Sequence, residues 1–249
     1  MLDVGRLAGA LIAFAVTPYG MTTLAALLIA CIGFGFSAKR RAEIDAAMAT
    51  GDSRKRLRLL DLSHGDVRSV LRERRLVAPE RLWSYDETYL ERFAQLTLHA
   101  RVRDEPSALH LYVRTVLHRF DLVFAIGLGT FIYLANVAIA DVLVATHPLW
   151  ARAAWIAACM GLLYGVADVA EDLKLASILA RAVIPGSELA GVIDPGEAAA
   201  ANVLTRVKLV TIVLSALGAL VFAALSIVAA IAIRPPSHPA REAVTVRAG

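Results

Sequence analysis

From Leu209 to Ile233 the chain runs for 25 residues without a charged side chain, and Arg234, Pro235 and Pro236 end the run. As an α-helix this run is about 37 Å long, more than the ~30 Å hydrocarbon core of a bilayer. Inside lipid every backbone N–H and C=O must find its partner within the chain, so a run of this kind is a transmembrane helix. Three further apolar runs accompany it. The first, Leu7 to Phe36, is interrupted by Thr17-Pro18-Tyr19-Gly20. It is either one long helix kinked at Pro18 or a short leading segment followed by a helix, because proline removes a backbone donor. The second extends from Leu122 to about Thr146 and contains Asn136 and Asp141. The third covers about Leu149 to Ala170. Hydrophobic residues make up 58% of the chain, well above a soluble domain, and the excess is confined to these runs.

The expected fold is therefore all-α and polytopic, with about four transmembrane helices. Residues 1–36 hold the first span and 37–119 a helical cytoplasmic segment. Residues 120–233 hold three more spans with a loop at about 171–206, and 234–249 form a C-terminal tail. Basic residues sort these loops, since Lys and Arg stay on the cytoplasmic side. Of the 26 Lys and Arg, 17 lie between Ser37 and Arg119, and the segment Asp168 to Lys208 adds Lys174, Arg181, Arg206 and Lys208. The opposite side keeps only Arg6, Arg152, Arg234, Arg241 and Arg247. Both termini are expected outside. The abundance of Ala, Arg, Val and Leu points to a GC-rich bacterial genome, and hence to a bacterial inner (cytoplasmic) membrane.

Two cysteines, Cys31 and Cys159, lie inside apolar runs and show no metal-ligand spacing. Leu28-Ile29-Ala30-Cys31 loosely matches a lipoprotein cleavage box. Lys39-Arg40-Arg41 closes that run, however, so an uncleaved anchor is expected.

The 37–119 segment reads as amphipathic helices. Ser63-x-x-Asp66 and Ser84-x-x-Glu87 have the form of capping boxes. Tyr89, Leu90, Phe93 and Leu96 to Leu98 then supply an apolar stripe. Asp104-Glu105-Pro106 marks a further helix start, and the helix from Ser107 to Arg119 should run into the second span. The basic clusters Arg54 to Arg58 and Arg72 to Arg75 fit topological retention with solvated faces, or contact with anionic lipid headgroups. Twelve acidic residues share the segment and no recognition motif is present, so nucleic acid is not an expected partner. In the second loop, Pro185-Gly186 and Asp194-Pro195-Gly196 are turn signals.

The third span carries the most specific pattern. At 100° per residue, Gly161, Gly165, Asp168 and Asp172 fall within about 60° of one another. Gly161-x-x-x-Gly165 lets a neighbouring backbone approach closely, so the packing face also carries two carboxylates. Tyr164 and Glu171 form a second strip beside it. Only 15 residues separate Arg152 from Asp168, about 22 Å of helix, which places Asp168 at or just inside the cytoplasmic boundary. An ionisable residue there needs a partner. His118 and Arg119, and Arg206 and Lys208, stand at the same depth. The candidate polar cluster is Asp121, Asp168, Glu171, Asp172, Tyr164, Arg119 and Arg206. It reads either as an ion-pair network locking helix ends, or as a site for a proton, a cation or a Mg²⁺ held by oxygen ligands. Ser215, Ala219 and Ala223 repeat at four-residue spacing as a packing seam, and His147-Pro148 forms an outer turn. No phosphate-binding loop, serine elbow, zinc helix or dinucleotide fingerprint is present.

Tyr112, with Asp121-Leu-Val-Phe124 at the start of one span, and Tyr164-x-x-x-Asp168-x-x-Glu171-Asp172 at the end of the next, resemble a group of uncharacterised bacterial four-helix integral membrane proteins. Those proteins carry an Asp-Leu-x-Phe-Pro motif and an Asp-x-x-Glu-Asn motif. Here Ala125 takes the place of the proline and Asp172 that of the asparagine. The resemblance covers about residues 84–180 and implies a helix arrangement that brings Asp121, Asp168 and Glu171 together. It implies no activity.

These features favour a structural, accessory or sensing membrane protein without a cofactor. Membrane lipids are its expected partners, with a protein partner or a second copy able to use the cytoplasmic helices. A small transporter or channel, or a lipid-headgroup-modifying enzyme built on the acidic cluster, are the alternatives. A transporter should show an internal repeat, and none is evident.

Overall fold

The computed structural model describes residues 12–49, 78–102, 107–144, 147–182 and 193–232. Its helices are α1 (Pro18–Ala49), α2 (Glu87–His99), α3 (Ala108–Leu143), α4 (Pro148–Ala182) and α5 (Pro195–Ala232), with one 3₁₀ turn at Pro79–Arg81. No strand occurs among the described residues. Four helices (all but α2) are long and apolar enough to cross a membrane, so the protein is a multi-pass membrane protein. The Ser63 box, both basic clusters, Asp104-Glu105-Pro106, Pro185-Gly186 and the C-terminal tail lie outside the described residues.

Three helices begin on proline, where the missing N–H is not needed. Pro18 therefore starts α1 rather than kinking it. A single turn at residues 12–15 precedes it, and Thr17 Oγ1 accepts the Gly20 N–H at 2.9 Å. Asp194-Pro195-Gly196, expected as a loop turn, instead opens α5, with Asp194 Oδ1 accepting the Gly196 N–H at 2.7 Å. The Ser84 box is also displaced. Asp86 caps α2 by accepting the Tyr89 N–H at 2.8 Å, because Ser84 lies two residues too early and bonds Arg206 instead. Ser107 caps α3, which runs unbroken into the second span as the sequence implies.

Helices adjacent in sequence pack side by side, with α3 between α1 and α4, and α5 against α4. The spacing of small residues allows this. A Cβ added to Gly127 would lie 2.7 Å from the Ala30 nitrogen of α1. One added to Gly129 would lie 3.0 Å from the Gly165 Cα and 3.2 Å from the Gly161 carbonyl oxygen of α4. The Gly161-x-x-x-Gly165 face thus meets α3. On the other side of α4, Ser215 Oγ of α5 donates to the Ala157 carbonyl at 2.8 Å.

Every spanning helix extends past its apolar run at one end. There α1, α3, α4 and α5 project together with α2 packed among them. Leu90 and Phe93 of α2, Leu109 and Tyr112 of α3, and Leu175 and Leu179 of α4 fill a core with almost no exposed surface. This part is called the head, and the remainder the apolar half. The stripe on α2 therefore faces inward as its spacing implies.

Within α3, residues Tyr112–Asp121 wind as a π-helix, with hydrogen bonds from i to i+5. Nine residues of α-winding would put Tyr112 and Asp121 about 180° apart. The wider winding brings both to the face turned toward α1 and the Pro79–Arg81 turn, where both find partners.

Candidate functional site

The charged residues of the bundle collect where the head meets the apolar half. Helix length fixes the depth of this layer. Ser37 is 19 residues from Pro18, Asp121 is 20 from the exposed Asp141, and Asp168 is 18 from Trp150. Each interval is about 27–30 Å of helix, close to the thickness of a hydrocarbon core. Ser37, Asp121 and Asp168 therefore stand near one boundary.

The layer holds two modules of the same design. In the first, Arg41 of α1 bridges Asp121 of α3 and Glu80 of the 3₁₀ turn. Asp121 Oδ1 accepts from Ser37 Oγ at 2.5 Å, and Glu80 Oε2 accepts from the Tyr112 hydroxyl. Arg41 Nε also donates to Ser37 Oγ at 3.0 Å. In the second, Lys208 of α5 bridges Asp168, at 2.9 Å, and Glu171 of α4. Asp168 Oδ2 accepts from the Tyr164 hydroxyl at 2.7 Å, and Glu171 Oε1 accepts from Thr205 Oγ1. The Tyr85 and Thr205 hydroxyls are 3.1 Å apart, joining the connector (residues 78–86, which hold the 3₁₀ turn and lead into α2) to the second module. Each cation thus serves two carboxylates, and each of these four carboxylates receives one cation and one hydroxyl.

This matching is what burial demands, because a charge withdrawn from water is tolerated only when paired and hydrogen-bonded. Glu171 has no exposed surface, and Asp121, Asp168, Glu80 and Lys208 are all buried. Tyr85, on the connector outside the spans, is also buried. Desolvation pushes its phenol above the ordinary value, against the Thr205 hydrogen bond that lowers it.

Asp172 is the exception. It is 1% exposed, and its Oδ2 has no hydrogen-bond partner. It lies between the modules, interacting electrostatically with Asp168, Asp121, Lys208 and Glu80.

Of the residues expected in the cluster, Asp121, Asp168, Glu171, Asp172 and Tyr164 come together. Arg119 and Arg206 do not. Both are exposed, and Arg206 bonds Ser84 at 3.1 Å. The π-winding turns Asp121 inward while its neighbour Arg119 points out, and Lys208 takes the place expected of Arg206. Ser37, Arg41, Glu80, Tyr112, Tyr85 and Thr205 complete the site. Arg41 was readable only as part of a topological basic run, although its i, i+4 relation to Ser37 puts both on one face. Glu80 had no local signal.

Among the described residues, no three His, Cys, Asp or Glu side chains converge in a metal-holding arrangement. Asn136 is buried in the apolar half and donates to the Ile132 carbonyl of its own helix at 2.9 Å. Comparison with protein-family models, with curated proteins and with solved structures finds no match.

Proposed function

We propose that this is a non-enzymatic protein of a bacterial inner membrane, with both termini outside and a structural, accessory or sensing role carried by its cytoplasmic head. The charged layer acts as a clamp holding the head on the spans. One observation carries this reading: four of the five carboxylates are each taken up by one cation and one hydroxyl of the same chain. Carboxylates spent in this way are not available to a substrate or a metal, which weighs against the lipid-headgroup enzyme. Lipid tails are the partners of the exposed apolar faces, among them Leu220, Val213 and Ile126. Anionic headgroups would meet the exposed Arg114 and Arg119. A protein partner or a second copy would use the head.

Single Asp168→Asn and Glu171→Gln variants test the clamp. Each is expected to lower the yield and heat resistance of folded protein. Normal folding combined with lost metal binding would instead favour a site. Reporter fusions at both termini and within residues 50–77 test the orientation, and a cytoplasmic C-terminus would overturn it.

A further inference from the structure

We propose that Asp172 is a proton-binding site at the junction of the two charge-bridged modules, its carboxyl held neutral at the pH at which the clamp is closed. The charge inventory of the layer leads to it. Among the described residues, Glu80, Asp121, Asp168, Glu171 and Asp172 face only Arg41 and Lys208. Both cations are already shared between two carboxylates, and the four hydroxyls that donate to carboxylates all serve those same four. Asp172 is left with an oxygen sealed from water and without a donor. An unpaired carboxylate in such a position is far costlier than a neutral carboxyl.

The surroundings bear on the group from every packed element. Arg41 faces the layer from α1, Asp121 and Tyr112 from α3, and Lys208 from α5. Glu80 and Tyr85 face it from the connector, and Asp168, Glu171 and Tyr164 from its own helix. The excess is negative, which favours uptake of a positive ligand. A proton fits better than a metal ion. A hard cation needs several oxygens around it, and those of the neighbouring carboxylates are engaged. A proton needs one oxygen, and Asp172 Oδ2 supplies it.

The consequence is mechanical. Loss of this proton would place a charge between the Arg41 module, which ties α1 to α3, and the Lys208 module, which ties α4 to α5. The repulsion would act on the α3–α4 contact. The idea deepens the clamp reading and rests on it only for the pairing of the other four acids.

The test is infrared spectroscopy of the full chain in lipid nanodiscs at neutral pH, with and without ¹³C-aspartate labelling. The expected result is a protonated-carboxyl C=O band that shifts with the label and disappears in Asp172→Asn. That variant should fold as the wild type does, since a neutral amide replaces a neutral carboxyl. In label-containing Asp172→Glu the labelled band should also be lost. Absence of the band in the wild type overturns the proposal. So does a labelled band that survives in either variant, or its removal by Na⁺, K⁺ or Mg²⁺. Failure of Asp172→Asn to fold overturns it too, because a carboxylate would then be required. None of these outcomes depends on whether Asp168→Asn or Glu171→Gln weakens the clamp, so the two ideas can fail separately.

Discussion

In the apolar half, the helices meet through Gly127, Gly129, Gly161, Gly165 and Ala154, while Leu220, Val213, Ile126 and Leu162 point outward. In the head the order is reversed: Leu90, Phe93, Leu109, Tyr112 and Leu179 are sealed inside. The same four helices pass through both regions, so the difference reflects the solvent each region faces. Lipid is as apolar as leucine and gives no reward for burying it, so helices there gain by approaching closely over small residues. In water each large apolar side chain buried contributes about 1.5–3 kcal/mol, so the head encloses its bulk. The charged layer lies where these two regimes change over.

Substitutions on either side of that layer put the contrast at risk to different degrees. The largest loss is expected from Lys208→Met, which strands Asp168 and Glu171 together. Removing one partner of a buried pair costs about 3–5 kcal/mol, and here two carboxylates lose theirs. Thermal unfolding in nanodiscs would measure it. The triple variant Lys208→Met, Asp168→Asn, Glu171→Gln should recover much of the loss. Next is Phe93→Ala in the head, at about 3–5 kcal/mol. Amide exchange should then rise in α2 and the helix ends around it, and not between residues 127 and 140. Uniform loosening would show that the two regions are one cooperative unit.

Gly129→Val in the apolar half should cost about 1–3 kcal/mol by driving α3 off α4, whereas Leu220→Ala on the lipid face should stay within about 0.5 kcal/mol. A large effect at Leu220 would mean that this face is covered by protein. The smallest effects concern single polar contacts. Ser215→Ala should cost about 0.6 kcal/mol, the average for an interhelical hydrogen bond in lipid. Tyr85→Phe should cost no more than about 1 kcal/mol at neutral pH, through the loss of one hydrogen bond, and its distinct effect comes in alkali. Its folded phenol titrates above the unfolded one, so from about pH 10 upward the unfolded state loses the proton first and stability falls. The phenylalanine variant should lack that part of the alkaline decline.

The spans were legible because lipid imposes a length and a composition on any helix that crosses it. The inward face of α4 was legible because Gly161, Gly165, Asp168 and Asp172 share a face by arithmetic. The ends of the helices were less so. Asp194-Pro195-Gly196 carries the signature of a turn and of a helix start alike, and only the packing of Ala198 and Ala201 into the head decides between them. The choice of Lys208 over Arg206, and of Asp121 without Arg119, depends on rotation about helix axes. Glu80 reaches Arg41 across 39 positions of chain, a distance over which local pattern says nothing.

The π-wound stretch of α3 shows how such rotation is encoded. It holds the head and the second span at an angle that no straight α-helix of the same length could give. Removing a single residue between Tyr112 and Asp121 would release that winding. Eight steps of α-winding would then leave Tyr112 and Asp121 about 80° apart rather than on one face. Tyr112 would swing away from Glu80 while Asp121 kept its place beside Arg41. No side chain would need to change its chemistry for the first module to lose its bond between Tyr112 and Glu80. The register between head and membrane is therefore stored in chain length, where a one-codon deletion would be more disruptive than most substitutions.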